Sequence, residues 1–249
     1  MIQNIYDDDN FFDSYINMRN DKESISANEI IEMPAIYSVL PDLKDKKVLD
    51  LGCGSGNNCI KAVELGANYV LGTDVSKNMI ELAKKTNKDK KIEYQDIAME
   101  NISSIKQKFD VVISSLAFHY VEDYNKLIKD IYNLLNDGGY LIFSQEHPIG
   151  TGTILNEACN SSNKVILGGK KYKLVSDYNI NGPRKANWYE KTYTKYHRNF
   201  STLINELIDN NFKICRVVEP VADSEKIKLN QKYENQLNMP YFIIIVAQK

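Results

Sequence analysis

A carboxylate and three closely spaced glycines stand in the stretch Leu49–Asn58, which reads LDLGCGSGNN. Closely spaced glycines after a strand let the backbone approach a ligand, and the dinucleotide-binding fingerprint of this kind is G-x-G-x-x-G. Here the spacing from Gly52 is G-x-G-x-G, and Asn57 stands where that fingerprint needs its last glycine. A carboxylate at Asp50 is awkward beside a pyrophosphate, and it suits a ligand that carries an ammonium group.

A second acidic residue, Asp74, ends the next predicted strand, eighteen residues after Gly56. An acidic residue at this position usually accepts hydrogen bonds from ribose hydroxyls. The two acidic residues and the glycine spacing therefore predict a ligand that has a ribose and a cation but no phosphate. S-adenosylmethionine fits that description.

The elements that must position these residues alternate along the chain from Lys46 onward. Short apolar stretches predict strands, and amphipathic spacing predicts the helices between them. This alternation indicates an α/β fold with a parallel sheet, in which ligands bind at the carboxyl ends of the strands. The predicted strands span 46–52, 69–74, 91–96, 109–117 and 140–146; the predicted helices span 57–65, 76–86 (N-cap Ser76) and 123–135, the last stopped by the NDGG that follows it.

Two further segments flank this core within what is predicted to be a single domain, 1–249. Residues 1–45 are predicted to form two helices, at roughly 9–19 and 28–40, which cover the ligand edge. Residues 148–198 have little periodicity and many aromatic side chains, and we interpret this insertion as a lid over the substrate. A helix (201–212), a strand (213–220), a polar helix or loop (224–237) and a last strand (241–249) complete the chain.

Composition narrows the range of partners. Lysine and arginine number 31 against 33 acidic residues, a net charge of −2, so we expect neither a nucleic acid nor a membrane partner. The short acidic run Asp7–Asp9 is interpreted as solvated. Cysteines at 53, 59, 159 and 215 form no CxxC pair, so we expect free thiols and no metal. The first residues do not resemble a signal peptide, and we expect a cytoplasmic protein, monomeric or homodimeric.

Five stretches within residues 46–148 stand in a characteristic order: VLDLGCGSG, GTDVSKNMIELAKK, YQDIA, FDVVISSLAFHYVED and LLNDGGYLIFSQEHP. They resemble the successive motifs of class I S-adenosylmethionine-dependent methyltransferases of the methyltransferase type 11 kind. The resemblance implies a Rossmann-like, seven-stranded and mainly parallel sheet of order 3-2-1-4-5-7-6, with an antiparallel last strand. It also implies methyl transfer to a small-molecule acceptor, which leaves S-adenosylhomocysteine. Ser114–Ala117 replaces the Asn/Asp-Pro-Pro-Tyr/Phe motif, which speaks against DNA-adenine and protein-glutamine methylation.

The resemblance also implies individual cofactor contacts, most of them directly after strands. They are Gly52, Cys53 and Gly54 beside the methionine part, Asp50 near its amino group, Asp74 at the ribose, Val75, Met79, Asp96 and Ile97 at the adenine, Ser114, Ser115 and Leu116 toward the amine, and Tyr15 and Arg19 as a cover.

All three histidines are predicted to lie at the ligand edge: His119 after strand four, His147 after strand five, and His197 where the insertion returns to the sheet. Histidine suits the removal of a proton from a hydroxyl or amine near neutral pH. Because the sulfonium is already activated, positioning supplies much of the acceleration and a base is optional, so we expect His119 or His147 in that role. The residues expected to contact substrate are Trp188, Tyr196, His197 and Arg198.

Three alternatives remain open at this point. A nicotinamide-dependent dehydrogenase would need a glycine at position 57, where the chain has asparagine. A protein that binds S-adenosylmethionine without turnover would keep the same motifs. A methyltransferase acting on tRNA or on protein is the third, and the balanced charge weighs against RNA because phosphate contacts need lysine and arginine.

Overall fold

A computed structural model describes residues 4–20, 26–152, 164–188, 191–229, 236–237 and 239–249. The first half contains α1 (Asp9–Asn20), a π-helical turn (Asn28–Glu32), α2 (Met33–Ser38), β1 (Lys47–Leu51), α3 (Asn57–Glu64), β2 (Tyr69–Thr73), α4 (Lys77–Thr86), β3 (Ile92–Gln95), a 3₁₀ helix (Met99–Ser104), β4 (Phe109–Ser114) and a second 3₁₀ helix (Phe118–Tyr120). The second half contains α5 (Tyr124–Leu134), β5 (Leu135–Glu146), α6 (Pro148–Thr151), β6 (Lys164–Leu167), β7 (Lys170–Lys173), β8 (Gly182–Trp188), β9 (Lys191–His197), α7 (Phe200–Asp209), β10 (Lys213–Val218), α8 (Ser224–Leu229) and β11 (Phe242–Gln248).

Seven strands form one sheet in the order β10-β11-β5-β4-β1-β2-β3. Strands β1 to β5 pair in parallel, and β11 is antiparallel to both β5 and β10. The predicted order 3-2-1-4-5-7-6 and the antiparallel last strand are thereby confirmed. The last two strands carry the numbers 10 and 11 because the insertion adds four strands before them.

The sheet is apolar on both faces because helices cover both of them. Along β1, Val48 belongs to the apolar cluster that includes Ile36, Cys59 and Ala62, whereas its neighbour Leu49 belongs to the opposite cluster with Leu127 and Ile131 of α5. The strand therefore has no alternation of apolar and polar residues. Asp50, the one charged side chain in its buried part, is consequently enclosed in the core.

The predicted helices and strands of the core occur close to their expected bounds, and Ser76 is confirmed as the N-cap of α4, accepting a hydrogen bond from the Met79 amide at 3.2 Å. Helix α5 ends at Leu134, just before the NDGG stretch that was predicted to stop it, and β5 begins earlier than predicted, at Leu135. The pairing of β4 with β5 shifts its register here, and Asn136 donates a hydrogen bond to Asp110 at 2.8 Å. The four residues thus form an irregularity within the strand.

The insertion has more regular structure than its weak periodicity predicts. It contains two antiparallel hairpins, β6–β7 and β8–β9, after the short helix α6. In β9 the buried side chains include Tyr193 and His197, which stand four residues apart on one face of the strand. Tertiary contacts of this kind stabilise a strand whose sequence is largely polar.

No helix in the described ranges is long and apolar enough to cross a membrane.

The antiparallel strand β11 offers a direct test of the core. Ile244 is fully buried in it, so Ile244→Ala should lower the free energy of unfolding by about 2–5 kcal/mol. The matched control Ile208→Ala, on α7 with 52% of the residue exposed, should change it by less than about 0.5 kcal/mol. Urea unfolding followed by circular dichroism measures both, and equal effects would show that β11 is not part of the core.

Candidate functional site

A cavity of about 580 Å³ lies at the carboxyl ends of the parallel strands. Each of the first five strands contributes to its wall: Gly52 after β1, Asp74 after β2, Ile97 after β3, Ser115 after β4 and Glu146 at the end of β5. Residues from the N-terminal segment and from the β8–β9 hairpin complete the wall. They include Tyr6, Tyr15, Arg19, Asn187 and Tyr193.

The glycine turn after β1 brings backbone to the cavity wall. The amides of Gly52 and Cys53 both donate to the Thr73 carbonyl, at 2.8 and 2.9 Å, which fixes the turn against β2. At Gly52 φ is +69°, and a Cβ there would stand 2.6 Å from the Ala117 Cβ. At Gly54 a Cβ would meet no atom within 4 Å, because that side of the residue faces the cavity. A side chain at position 54 would therefore fill space that a ligand could use.

Asp74 is held in a fixed orientation on this wall. Its Oδ2 accepts a hydrogen bond from the Gly54 amide and its Oδ1 accepts one from the Ser76 amide, each at 2.9 Å. Burial raises the pKa of this carboxyl, and those two backbone bonds oppose the rise. A carboxylate oxygen accepts more than one hydrogen bond, so both oxygens retain capacity for a ligand's hydroxyl groups.

Asp50 lies beneath the glycine turn and is completely buried. Its Oδ2 accepts a hydrogen bond from the Cys59 thiol at 3.3 Å. Burial raises the pKa of Asp50 to about 7, with repulsion from Asp74 and Glu32 adding to the effect and the Cys59 bond opposing it. The negative charges around the turn therefore repel one another in a desolvated region.

Glu32 is a third buried carboxylate, and it comes from the end of the π-helical turn. Its Oε1 accepts hydrogen bonds from Ser115 Oγ at 2.8 Å and from Ser144 Oγ at 2.5 Å, while its buried Oε2 has no hydrogen-bond partner among the described residues. Ser144 Oγ in turn accepts from the Leu116 amide at 3.0 Å. Leu116 has φ +52°, so this network supports a strained turn on the cavity wall.

The N-terminal segment is attached to the start of α4 by polar contacts. Asp7 Oδ1 accepts hydrogen bonds from Ser76 Oγ at 2.6 Å and from the Asn78 amide at 3.2 Å, and Asn4 donates to the Val75 carbonyl at 3.2 Å. A carboxylate at a helix N-terminus is favoured by the helix dipole. Asp7 is exposed, as the interpretation of Asp7–Asp9 as a solvated run predicts, but these hydrogen bonds hold it against α4. Asp8 forms an ion pair with Lys191 at 2.7 Å.

Most of the cofactor residues predicted from the sequence line this cavity, and four do not. Among these four, Asp50 lies below the glycine turn, Ser114 is buried and donates to the Leu51 carbonyl at 2.7 Å, and Asp96 is exposed. Cys53 is buried in the turn and lies outside the lining. The predicted residues that do line the cavity are Tyr15, Arg19, Gly52, Gly54, Asp74, Val75, Met79, Ile97, Ser115 and Leu116.

His119 lines the same cavity, in the 3₁₀ helix after β4. The imidazole is buried, and its Nδ1 has no hydrogen-bond partner in the described part of the chain. Burial lowers its pKa to about 4, with the Glu146 carboxylate opposing that effect and Lys195 adding to it. His119 is therefore neutral near pH 7, and its Nδ1 is buried without a hydrogen-bond partner among the described residues.

The other two histidines are engaged elsewhere, which corrects the prediction that all three share the ligand edge. His147 Nδ1 accepts from the Ile149 amide at 3.2 Å, and its Nε2 lies 2.8 Å from a Glu219 carboxylate oxygen. His197 Nδ1 lies 2.7 Å from Thr151 Oγ1, and its Nε2 lies 2.8 Å from the Tyr178 carbonyl. Each ring thus has partners at both nitrogens, and neither residue lines the cavity described above.

The predicted substrate residues Tyr196, His197 and Arg198 line a second cleft, of about 760 Å³. Arg198 is buried and donates to the carbonyls of Phe118, Val121 and Glu122, with its guanidinium 4.8 Å from the ring centroid of Tyr124. The prediction that Arg198 contacts the substrate in the first cavity is therefore corrected. Arg198 instead holds in place the segment that carries His119, and it does not line that cavity. The side chain of Trp188 lies outside the described residues.

Sequence reasoning missed several residues of the cavity wall. Tyr120 and Glu146 follow β4 and β5, so the rule that ligands lie at strand ends could have found them. The buried carboxylate of Glu32, which lies outside the lining, was also missed. Tyr6 gave no local signal, because the folding of distant segments brings it to the wall. Tyr193 is one of the aromatic residues of the insertion interpreted as a lid, although it was not singled out as a contact. The hydroxyls of Tyr6 and Tyr120 are hydrogen-bonded, and the rings of Tyr120 and Tyr193 lie 5.8 Å apart.

Within the described ranges no group of three or more His, Cys, Asp or Glu side chains is arranged to hold a metal ion. Cys53 and Cys59 are free and buried, Cys215 is free and exposed, and Cys159 lies outside the described residues.

Comparisons with known proteins agree with this geometry. Residues 49–143 match the family model described as a methyltransferase domain. A crystal structure of an S-adenosylmethionine-dependent methyltransferase from Mesorhizobium loti is 32% identical and superposes with a TM-score of 0.80, covering 91% of this chain and 100% of that one. The chain belongs to the S-adenosylmethionine-dependent methyltransferases.

Two sequence relatives show how far the similarity extends. An uncharacterized protein of Haemophilus influenzae is 37% identical over 98% of this chain and 96% of its own length. The ribosomal protein L11 methyltransferase of Lactobacillus johnsonii is 36% identical over 41% of this chain and 32% of its own length. The second similarity is thus confined to part of each protein.

The buried carboxyl of Asp50 predicts a pH-dependent stability of the ligand-free protein. Between about pH 4 and 7 the folded state holds a proton on Asp50 that the unfolded state has released, so this group's stabilisation is lost as pH rises. Its contribution falls by up to about 1.4 kcal/mol per pH unit. Asp50→Asn should remove that component, whereas the exposed control Asp137→Asn should keep the wild-type slope. Urea unfolding at pH 5, 6, 7 and 8 measures it, and an unchanged slope in Asp50→Asn would contradict the assignment.

Proposed function

We propose that the protein transfers the methyl group of S-adenosylmethionine to a small organic acceptor, mainly by positioning the two molecules for in-line transfer, and releases S-adenosylhomocysteine. The observation that supports it best is a single cavity whose wall contains both the Gly52–Asp74 edge and His119. When bound, the cofactor supplies a methyl group on an already activated sulfonium. The protein's contribution is then orientation and exclusion of water.

The chain's own residues fit this cofactor. Gly54 leaves room for a ligand against the backbone, and Asp74 presents two fixed carboxylate oxygens to a pair of ribose hydroxyls. Around the methionine end, the unpartnered Glu32 Oε2 and the buried Asp50 favour a ligand with positive charge. Val75, Met79 and Ile97 offer apolar surface for the adenine, and Asp96 remains a predicted contact of its amino group.

Two segments are proposed to enclose the bound molecules. Residues 1–45 would act as a cover, since Tyr15 and Arg19 line the cavity and Arg19 could pair with the cofactor's carboxylate. The insertion 148–198 would act as a substrate lid, since Asn187 and Tyr193 of its second hairpin line the cavity. An ion pair of Lys191 with Asp8 joins the two segments.

His119 is the proposed base, where the acceptor needs one. It is neutral near pH 7, lines the cavity, and has a buried Nδ1 without a partner in the described structure. His147 is a weaker candidate because both of its nitrogens are engaged. Tyr196, His197 and Arg198 would influence the acceptor through the loop that they support.

A small acceptor is favoured over a macromolecule by the walls around the cavity. The N-terminal segment, the β8–β9 hairpin and the carboxyl ends of the strands all contribute to its lining, so the cavity is surrounded by three parts of the chain. The ribosomal protein L11 methyltransferase matches over only 32% of its own length, so its acceptor is not assigned to this chain. A cytoplasmic location and a monomeric or homodimeric state remain predictions.

The cofactor assignment is tested by calorimetry. The wild-type protein should bind S-adenosylhomocysteine, and Asp74→Ala should weaken binding by about 1–3 kcal/mol because it removes an acceptor of charge-assisted hydrogen bonds. The control Asp137→Ala, at a side chain 99% exposed, should bind like the wild type. Unchanged affinity in Asp74→Ala would remove Asp74 from the site, and absence of binding to the wild type would refute the proposed function.

The role of His119 is tested by incubation with methyl-labelled cofactor and a cytoplasmic metabolite extract, read by mass spectrometry. His119→Gln should lower the rate of label transfer by about 10²-fold or more if it accepts a proton, with little change in cofactor affinity. His147→Gln is the matched control and should remain close to wild type. Because His119 is neutral above about pH 4, the wild-type rate should not rise with a histidine-like midpoint between pH 6 and 7. Equal losses in both variants would contradict the assignment.

A further inference from the structure

The acceptor end of the cavity, defined as Tyr120, Glu146, Tyr193, Tyr241 and Phe242, combines one carboxylate with four aromatic rings. We infer that this end binds the ammonium group of the acceptor, so that the acceptor is a small organic amine. The inference rests on the proposed function, because it assumes that the other end of the same cavity holds the cofactor.

Charge around the cavity favours a cation over an anion. The charged residues of its described lining are Arg19, Asp74, Glu100 and Glu146, three acids against one base. Arg19, the base of this set, donates a hydrogen bond to Ser26 Oγ at 3.0 Å and lies 3.9 Å from a Glu29 carboxylate oxygen. A carboxylate or phosphate on the acceptor would therefore meet more acidic than basic side chains in this lining.

Glu146 forms an ion pair with Lys195 of β9, and the two ends of that pair face different surroundings. The carboxylate lines the cavity, whereas the ammonium does not, and the Lys195 side chain is only 12% exposed. Glu146 also contributes to the raised pKa of both Tyr120 and Tyr193, for which burial is the largest cause. The pair thus presents its negative end to the acceptor.

Aromatic rings add a second attraction for a cation. The faces of tyrosine and phenylalanine rings attract an ammonium within about 6 Å of the ring centroid, most strongly where water is excluded. The rings of Tyr120 and Tyr193 are tilted by 52° and so form a corner, and Tyr193 is buried. A carboxylate beside such a corner can hold an ammonium group next to the positive sulfonium, which would otherwise repel it.

Two matched pairs of probes test the inference: histamine with imidazole-4-acetate, and tryptamine with indole-3-acetate. Each pair keeps one ring and exchanges an ammonium for a carboxylate. Calorimetry, with saturation-transfer NMR for weak binders, measures their affinities with and without S-adenosylhomocysteine. At least one amine should bind the wild-type protein about tenfold or more tightly than its paired acid, the range expected for one charge-assisted hydrogen bond.

Variants then assign the preference to the carboxylate. Glu146→Gln should abolish the preference for the amine, and Glu146→Asp, which keeps the charge, should retain part of it. The control Glu122→Gln removes a negative charge that lines only the second cleft, and it should keep the full preference. Lys195→Met should leave the preference in place, because the lysine is not the group that meets the ligand.

Several outcomes would overturn the inference. They are failure of both amines to bind, acids that bind as tightly as their paired amines, a preference that survives Glu146→Gln, or acid binding that is lost in Lys195→Met. Failure to bind S-adenosylhomocysteine would instead contradict the proposed function. If Glu146→Gln does not fold, Glu146→Asp and Lys195→Met decide the question, since a cation-binding end requires a graded loss in the first and no loss in the second.

Discussion

Three carboxylates buried around one turn impose the main physical constraint on this structure. Asp50, Asp74 and Glu32 all have a pKa raised by burial, and charge on one opposes charge on the others. A desolvated anionic cluster is stable only where hydrogen bonds and positive charge compensate it. Backbone amides, a thiol and two serine hydroxyls supply hydrogen bonds here. The site is therefore built for a ligand that brings its own cation.

The N-terminal segment is part of that construction. Asp7 accepts hydrogen bonds at the start of α4, and Glu32 reaches through the core to the serines that support the turn at Leu116. Residues from this segment thus contact β5 and the elements after β2 and β4. The edge of the sheet and its cover form one hydrogen-bonded unit, which explains why a carboxylate as costly to bury as Glu32 is retained there.

Much of the fold could be predicted from the sequence because apolar stretches and strand-end rules are local. The same rules placed Asp74 and the glycine turn correctly at the cavity. They failed to separate His119 from His147, because the difference lies in a partner, Glu219, that is 72 residues away in the chain. Tyr193 could be assigned to the aromatic insertion but not singled out on the cavity wall, because the β8–β9 hairpin is stabilised by tertiary packing and its sequence has little apolar pattern of its own.

The insertion lies outside the pairing of the parallel strands. Strands β5 and β11 are neighbours in the sheet, and the insertion leaves from the end of β5 before the chain returns through β10. The length and composition of the insertion can therefore change without altering the pairing of β1 to β5. The entropic cost of closing a loop rises only slowly with the length of the loop. The family match ends at residue 143, just before this point. A longer or shorter insertion would thus reshape the proposed substrate lid and leave the strand ends that hold Gly52 and Asp74 in place.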